Sequence, residues 1–341
     1  MFTWPVKSLS LGMPWIFFLN SAIIIESYCT TIAEEKQRII IGCMILITNL
    51  LLLAFLNALP SMRRCYIFFT LVTIGDILDG IYLIYPSVMR IINIRDGVFE
   101  EDISQWNCAC KGYVISRIVG TELVSLTMLM MSVEKVLAVL CTFRYRRYVT
   151  EDARLIAALS CVTFCLLSLS AMFLTSYFGP QKPLQPDRYC DVAGSTVEGF
   201  AMFHQFFNLF CQVGAFLCSA FAFLSARKLI KQTSTKEINA IRPIFAVSFI
   251  SCVVISSDSI IYILKYLIEV DINNVLENYA VTYISAAFQV SKFALYILAG
   301  EDFRDTLRKI VQNLSCCKVR RSNTIIKMQS SSAIKTTTSA K

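Results

Sequence analysis

Apolar residues run along this chain in long blocks broken by short polar clusters, and block length sets the reading. A helix needs roughly 20 apolar residues to cross a bilayer, and seven such runs are read. They cover residues 38–59, 65–89, 109–133, 153–176, 198–226, 242–267 and 277–299. Turn chemistry falls between runs at Leu59-Pro60-Ser61, at Gly179-Pro180-Gln181-Lys182-Pro183 and at Asn273-Asn274. No internal repeat and no inverted half is visible. The expected fold is an all-α membrane protein, a seven-transmembrane helix bundle over residues 38–299.

Composition agrees with lipid as the solvent. Of the 341 residues, 56% are hydrophobic and 16% charged, a balance that excludes a soluble globular enzyme and a disordered or nucleic-acid-binding chain. The net charge of +8 changes the picture only through its placement. From Glu301 onward there are nine basic and three acidic residues, so this end carries most of the excess. A basic segment beside apolar spans meets anionic lipid headgroups, and no nucleic acid is expected. With the N-terminus outside, 21 Lys and Arg fall on the cytoplasmic side against nine on the other, which fixes the expected orientation.

Residues 1–37 have two readings. Met13 to Ile25 is apolar, follows Lys7 and precedes the small-x-small end Thr31-Ile32-Ala33, as in a cleaved signal peptide. The other reading is an extracellular segment on the membrane surface. Of the 14 cysteines, Cys43, Cys65, Cys161, Cys165, Cys211, Cys218 and Cys252 lie in apolar runs, where thiols act as small hydrophobes.

Catalytic constellations are missing. The one histidine, His204, has no second imidazole with which to hold a metal or build a triad, and no phosphate-binding glycine loop is present. No enzymatic activity, metal or cofactor is expected. His204 reads as a packed or pocket-lining side chain.

The end of the third span carries the most specific pattern. Ser132-Val133-Glu134-Lys135-Val136 is followed by Thr142-Phe143-Arg144-Tyr145-Arg146-Arg147-Tyr148. This resembles the cytoplasmic end of helix three in rhodopsin-like G-protein-coupled receptors. Glu134 and Lys135 fall on the acid and base positions and Tyr145 on the loop tyrosine; Val136 and Thr142 replace the aromatic and the proline. Asn49 and Asp76, 27 residues apart, fall on the family asparagine and aspartate of spans one and two. Phe249-Ile250-Ser251-Cys252 resembles the span-six motif, and Lys292-Phe293-Ala294-Leu295-Tyr296 falls on the span-seven motif without its Asn and Pro. The degenerate motifs, the short tail and Ser61-Met62-Arg63-Arg64-Cys65-Tyr66-Ile67-Phe68 are similar to nematode serpentine chemoreceptors, nearest the Srsx class.

The resemblance implies a receptor for an odour, pheromone or peptide, signalling through heterotrimeric G proteins from the plasma membrane or sensory cilia. A neuropeptide receptor with no chemosensory role is the alternative, and a small transporter or channel the remote one. The family spacing of 25 residues back from Lys135 lands on Cys110 and implies a disulfide to Cys190. The resemblance further implies an amphipathic eighth helix at 300–314, palmitoylation at Cys316 and Cys317, and a disordered tail at 315–341 whose ten hydroxyls invite arrestin. It makes Glu134, Lys135, Tyr145 and Tyr296 the coupling and switch residues.

Ionisable groups inside spans are costly and mark function. At 1.5 Å per residue, Arg117 lies about 27 Å from Lys135 and Asp258 about 24 Å from Arg242, both toward the outer end. They suggest a pocket of Arg117, Glu122, Asp258, His204 and Tyr262 for a small-molecule or peptide ligand, with Asp258 the resting partner of Arg117. A structural ion pair that never meets ligand is the other reading, and Glu122 is also placed to bond a neighbouring helix. Asp76 and Lys292 lie at similar depth in the inner half and are expected to pair where the resembling receptors hold sodium; Asp79 is the alternative partner of the lysine.

Overall fold

The computed structural model describes residues 14–58, 66–97, 103–141, 145, 149–179, 190, 192–228, 245, 248–253, 256, 259–261, 263–264, 282–299, 304–305 and 308, the side chains of 14–31, 193, 282 and 293–299 excepted. Its elements are all helical: α1 (Pro14–Asn57), α2 (Ile67–Arg95), α3 (Gln105–Ala109), α4 (Gly112–Leu140), α5 (Glu151–Phe178), α6 (Val192–Ser195), α7 (Glu198–Lys228) and α8 (Thr282–Ala299). Among the described residues, five segments are long and apolar enough to cross a membrane: Ile32–Asn57 within α1, and α2, α4, α5 and α7. The 18-residue α8, which carries Gln289 and Lys292, is not one of the five. The expected span 242–267 is described only at scattered positions. Of the expected helix at 300–314, Arg304, Asp305 and Arg308 are described and helical. Cys316, Cys317 and the tail lie outside the described residues.

The distribution of polarity is inverted relative to a protein folded in water. Ile156, Leu167, Phe210 and Phe178 are 65–77% exposed, whereas Asp76, Glu122 and Lys292 are at most 1% exposed. In water such apolar exposure would drive aggregation; in lipid it is the favourable surface, and the charged groups must find protein partners instead.

The first helix extends well before the expected span 38–59. Helix is already present from Pro14 and continues without a break to Asn57. The cluster Glu34-Glu35-Lys36-Gln37-Arg38 has no residue that stops a helix, and no Gly or Pro separates Pro14 from Gly42. The helix thus runs past the apolar segment Ile32–Asn57 that is long enough to cross a membrane.

The chain divides into two compact units, Met1–Val124 with Leu159–Gln205, and Ser125–Ala158 with Phe206–Lys341. In the first, α1 packs on α2 through a buried stripe of Gly42, Ile45, Asn49, Leu52 and Leu56, spaced alternately by three and four residues. The Asn49 amide donates to the Ile45 carbonyl at 3.0 Å, which satisfies it within its own turn. A Cβ at Gly42 would stand 2.6 Å from Ile84 Cγ1 and 3.0 Å from the Gly80 carbonyl oxygen. Helix α2 meets α4 still more closely, since a Cβ at Gly75 or at Gly120 would lie 2.9 Å from the other glycine's carbonyl oxygen. In lipid, where apolar burial gives no driving force, close backbone approach through small residues is what holds helices together. Gly120→Ala is expected to cost about 1–3 kcal/mol as overpacking against a carbonyl that cannot swing away. Thermal unfolding in detergent checks it; an unchanged midpoint would exclude the tight crossing.

The second unit is held by polar contacts among packed apolar residues. Ser132 Oγ lies 2.8 Å from Ser219 Oγ, which lies 3.0 Å from Ser248 Oγ. Gln212 donates to Ser125 and accepts from Ser251, each at 3.1 Å. The Phe223 and Phe245 rings stack at 4.9 Å, and Ala226 is buried against Phe223 and Val139.

Candidate functional site

In the first unit, the short helix α3 decides which cysteine is oxidised. The Ser104 hydroxyl accepts from the Asn107 N–H at 3.3 Å and caps the helix, which fixes its phase. Gln105, Cys108 and Ala109 then form its buried face. Cys110, at the end of α3, is exposed and free, and the disulfide joins Cys108 to Cys190 across 82 residues. The expected Cys110–Cys190 bridge is thereby corrected. Two positions on a helix differ by about 200° in direction, so only one cysteine of Cys108-Ala109-Cys110 faces inward. Around the bridge pack Tyr113, Val114, Ile118, Met172 and Phe200, and Trp106 meets Tyr177 edge-on at 5.1 Å.

Helix α4 carries two ionisable groups, five residues apart, to different partners within this unit. Arg117 Nη1 is 3.3 Å from Asp79 Oδ1, and its guanidinium lies 5.2 Å from the centre of the Tyr82 ring. Asp79 and Tyr82 are one turn apart on α2, so they present a carboxylate and a ring face to the same cation. The partner found for Arg117 is thus Asp79, where Asp258 was expected; Asp258 and Tyr262 lie outside the described residues.

Glu122 is fully buried and bonds both neighbouring helices. Its Oε1 accepts from Ser168 of α5 at 2.8 Å and lies 2.9 Å from His204 Nδ1 of α7. His204 Nε2 is 3.2 Å from Thr121 Oγ1, so both ring nitrogens are engaged, and the ring stacks on Phe200. Glu122 Oε2 is buried with no hydrogen-bond partner among the described residues. Of the five expected pocket residues, Glu122 and His204 are in contact and Arg117 sits on the same helix.

In the second unit two of the expected coupling residues, Glu134 and Tyr145, meet in a compact cluster with Arg154. Tyr145 donates its hydroxyl proton to Glu134 Oε1 at 2.6 Å, and Arg154 Nε donates to the same oxygen at 2.9 Å. Arg154 Nη2 is 2.8 Å from Glu134 and 2.9 Å from the Tyr145 hydroxyl oxygen, closing a three-membered polar ring. Arg154 is positioned by the start of α5, where the Thr150 hydroxyl accepts from the Ala153 N–H at 3.3 Å. The sequence did not single out Arg154; its signal is a cation one turn inside a helix that opens with Thr150-Glu151-Asp152. Lys135 is half-buried beside Glu134. The side chain of Tyr296 lies outside the described residues. Asp76 belongs to the first unit and Lys292 to the second, each buried.

Burial raises the Tyr145 phenol above its ordinary value, and its bond to Glu134 adds to the rise. A raised acid favours the protonated form in the folded state, so its contribution is complete below the ordinary tyrosine value of about 10 and is lost as pH climbs through the raised value. Tyr145→Phe is expected to cost about 0.5–1.5 kcal/mol at neutral pH. Unfolding midpoints of the two proteins should converge as pH rises above the ordinary tyrosine range; a constant gap would exclude the bond.

No family model matches the chain, and no curated protein matches it. The functional reading therefore rests on the residues themselves.

Proposed function

We propose that the chain is a seven-helix plasma-membrane receptor that passes ligand binding at its outer end to a heterotrimeric G protein at its inner end. The observation that carries this reading is the bond of Tyr145 to Glu134. These residues are 11 apart and fall on the acid and tyrosine of the family motif. Arg154 adds a hydrogen-bonded cation to that acid. In this reading the cluster holds the inner loop against α4 and releases it when the receptor switches. The spans at 242–267 and 277–299 complete the bundle, with an eighth helix and palmitoylated Cys316 and Cys317 at the inner surface. In this reading phosphorylation of the tail recruits arrestin.

The reading includes a chemosensory role, with a neuropeptide ligand as the outcome to be separated from it. The test is co-expression with promiscuous G-protein reporters and a panel of acidic small molecules and peptides. A ligand-dependent signal abolished by deleting the G protein is expected, with Glu134→Gln raising the basal signal several-fold by loosening the cluster. A properly surfaced protein that gives no signal to any ligand, and whose Glu134→Gln variant has the same silent baseline, would overturn it.

A further inference from the structure

The first unit holds a cavity of about 100 Å³ whose described walls come from α1, α2, the start of α4 and Cys190. Neither Glu122 nor His204 belongs to that lining. Much of the wall is one stripe of α2, where Tyr82, Tyr85, Pro86 and Met89 follow one another at helical spacing and so share a face. From α4, Tyr113 sets a ring 5.6 Å from that of Tyr85, tilted by 42°. Tyr85 is 47% exposed and Met89 37%, so both keep surface that the protein does not cover, whereas Tyr113 is buried. Pro86 lies inside α2 and adds a flat apolar ring to the same face.

Lining chemistry, size and charge together define the guest. Tyrosine rings and a methionine thioether favour an aromatic ring over a saturated one of the same size, through ring–ring and sulfur–ring contacts. A cavity of this order holds a single six-membered ring. The charged part of the lining is already engaged within the protein, since the buried Glu35 carboxylate lies 3.0 Å from Arg90 and 4.0 Å from Arg38. An uncharged guest leaves those contacts in place, whereas a charged one has to compete with them and shed its own water. We propose that this cavity binds a small uncharged aromatic molecule of one ring, packed on Tyr85, Tyr113 and Met89. Binding requires no signalling function, so the proposal stands independently of the receptor reading.

The full chain is purified into phosphatidylcholine nanodiscs and titrated with a ring-fluorinated benzyl alcohol, followed by fluorine NMR. Empty nanodiscs give the background of partition into lipid, and saturable binding above it is expected. Unlabelled benzyl alcohol should displace the probe. Cyclohexylmethanol keeps the hydroxyl but saturates the ring, and should compete at least about threefold less well, the loss expected for the aromatic contacts. Benzoate keeps the ring but adds a charge, and should not compete. Tyr85→Leu removes one ring from the wall and should weaken the probe about three- to tenfold. Met89→Trp fills the cavity and should abolish binding. Both positions are partly exposed, so each variant is expected to keep the unfolding midpoint of the parent, which is measured alongside. No saturable binding above the lipid background, competition by cyclohexylmethanol or benzoate equal to that of benzyl alcohol, or unaltered affinity in the two folded variants would overturn the proposal.

Discussion

Cys108→Ser is expected to lower surface yield several-fold, Cys190→Ser to do the same, and Cys110→Ser to leave it unchanged. The bridge closes a loop of 82 residues that includes all of α4 and α5, so its loss returns a large amount of conformational freedom to the unfolded chain. The expected cost is about 2–5 kcal/mol, a large share of a stability that is only about 5–15 kcal/mol in total. Cys110 contributes none of this, because its side chain leaves α3 on the exposed side. Variants are needed to see the difference, since both cysteines lie in the single tryptic peptide between Arg95 and Lys111. A non-reduced digest of Cys110→Ser should retain the linked peptide, and that of Cys108→Ser should lose it. Retention in Cys108→Ser with loss in Cys110→Ser would reverse the assignment.

That cysteine choice also marks where sequence reasoning reaches its end. Long apolar blocks located α2, α4, α5 and α7, with both ends of α5 and α7 within two residues and the C-terminal ends of α2 and α4 six and seven residues beyond the expected spans, because a spanning helix is specified by its length and its solvent. Phase about the helix axis is not specified by length. The family spacing from Lys135 selected Cys110, yet a capped turn at Ser104 sets a separate phase for α3. The pattern Ser104-Gln105-x-x-Cys108 did carry the answer, as a cap followed by one inward face.

Arg117 shows the same limit in a second form. The rise per residue places it about 27 Å from Lys135 and Asp79 about 22 Å from Arg64, a gap that an arginine side chain spans. Depth alone therefore allowed Asp79 as well as Asp258. What selected Asp79 is the Gly75–Gly120 crossing, which brings α2 and α4 together one turn away from Asp79 and Arg117. Two glycines on separate helices do not announce that they meet. The extension of α1 before residue 38 was not read for a different reason, because the charged cluster 34–38 marks the end of an apolar run while its residues still favour helix.

The largest single-residue effect inside the bundle is expected at His204. Replacing it with Phe keeps the packing on Phe200 but leaves the fully buried Glu122 with Ser168 as its one remaining hydrogen-bond donor of those described. Removing one member of a buried acid–base pair costs about 3–5 kcal/mol, more than the pair itself contributes, because the remaining group keeps its desolvation penalty. Glu122→Gln should cost far less, since an amide oxygen accepts the Ser168 and His204 bonds in the same place. The double variant Glu122→Leu with His204→Phe removes both polar groups, and its unfolding midpoint should lie well above that of His204→Phe alone, giving a coupling of about 1–3 kcal/mol. The same set separates a packing role from a ligand role. If Glu122 and His204 only join α4, α5 and α7, the double variant folds and responds to an agonist as the parent does. If they contact ligand, the double variant folds equally well and its agonist potency falls at least tenfold. Strictly additive losses in midpoint would exclude the pair as a coupled unit.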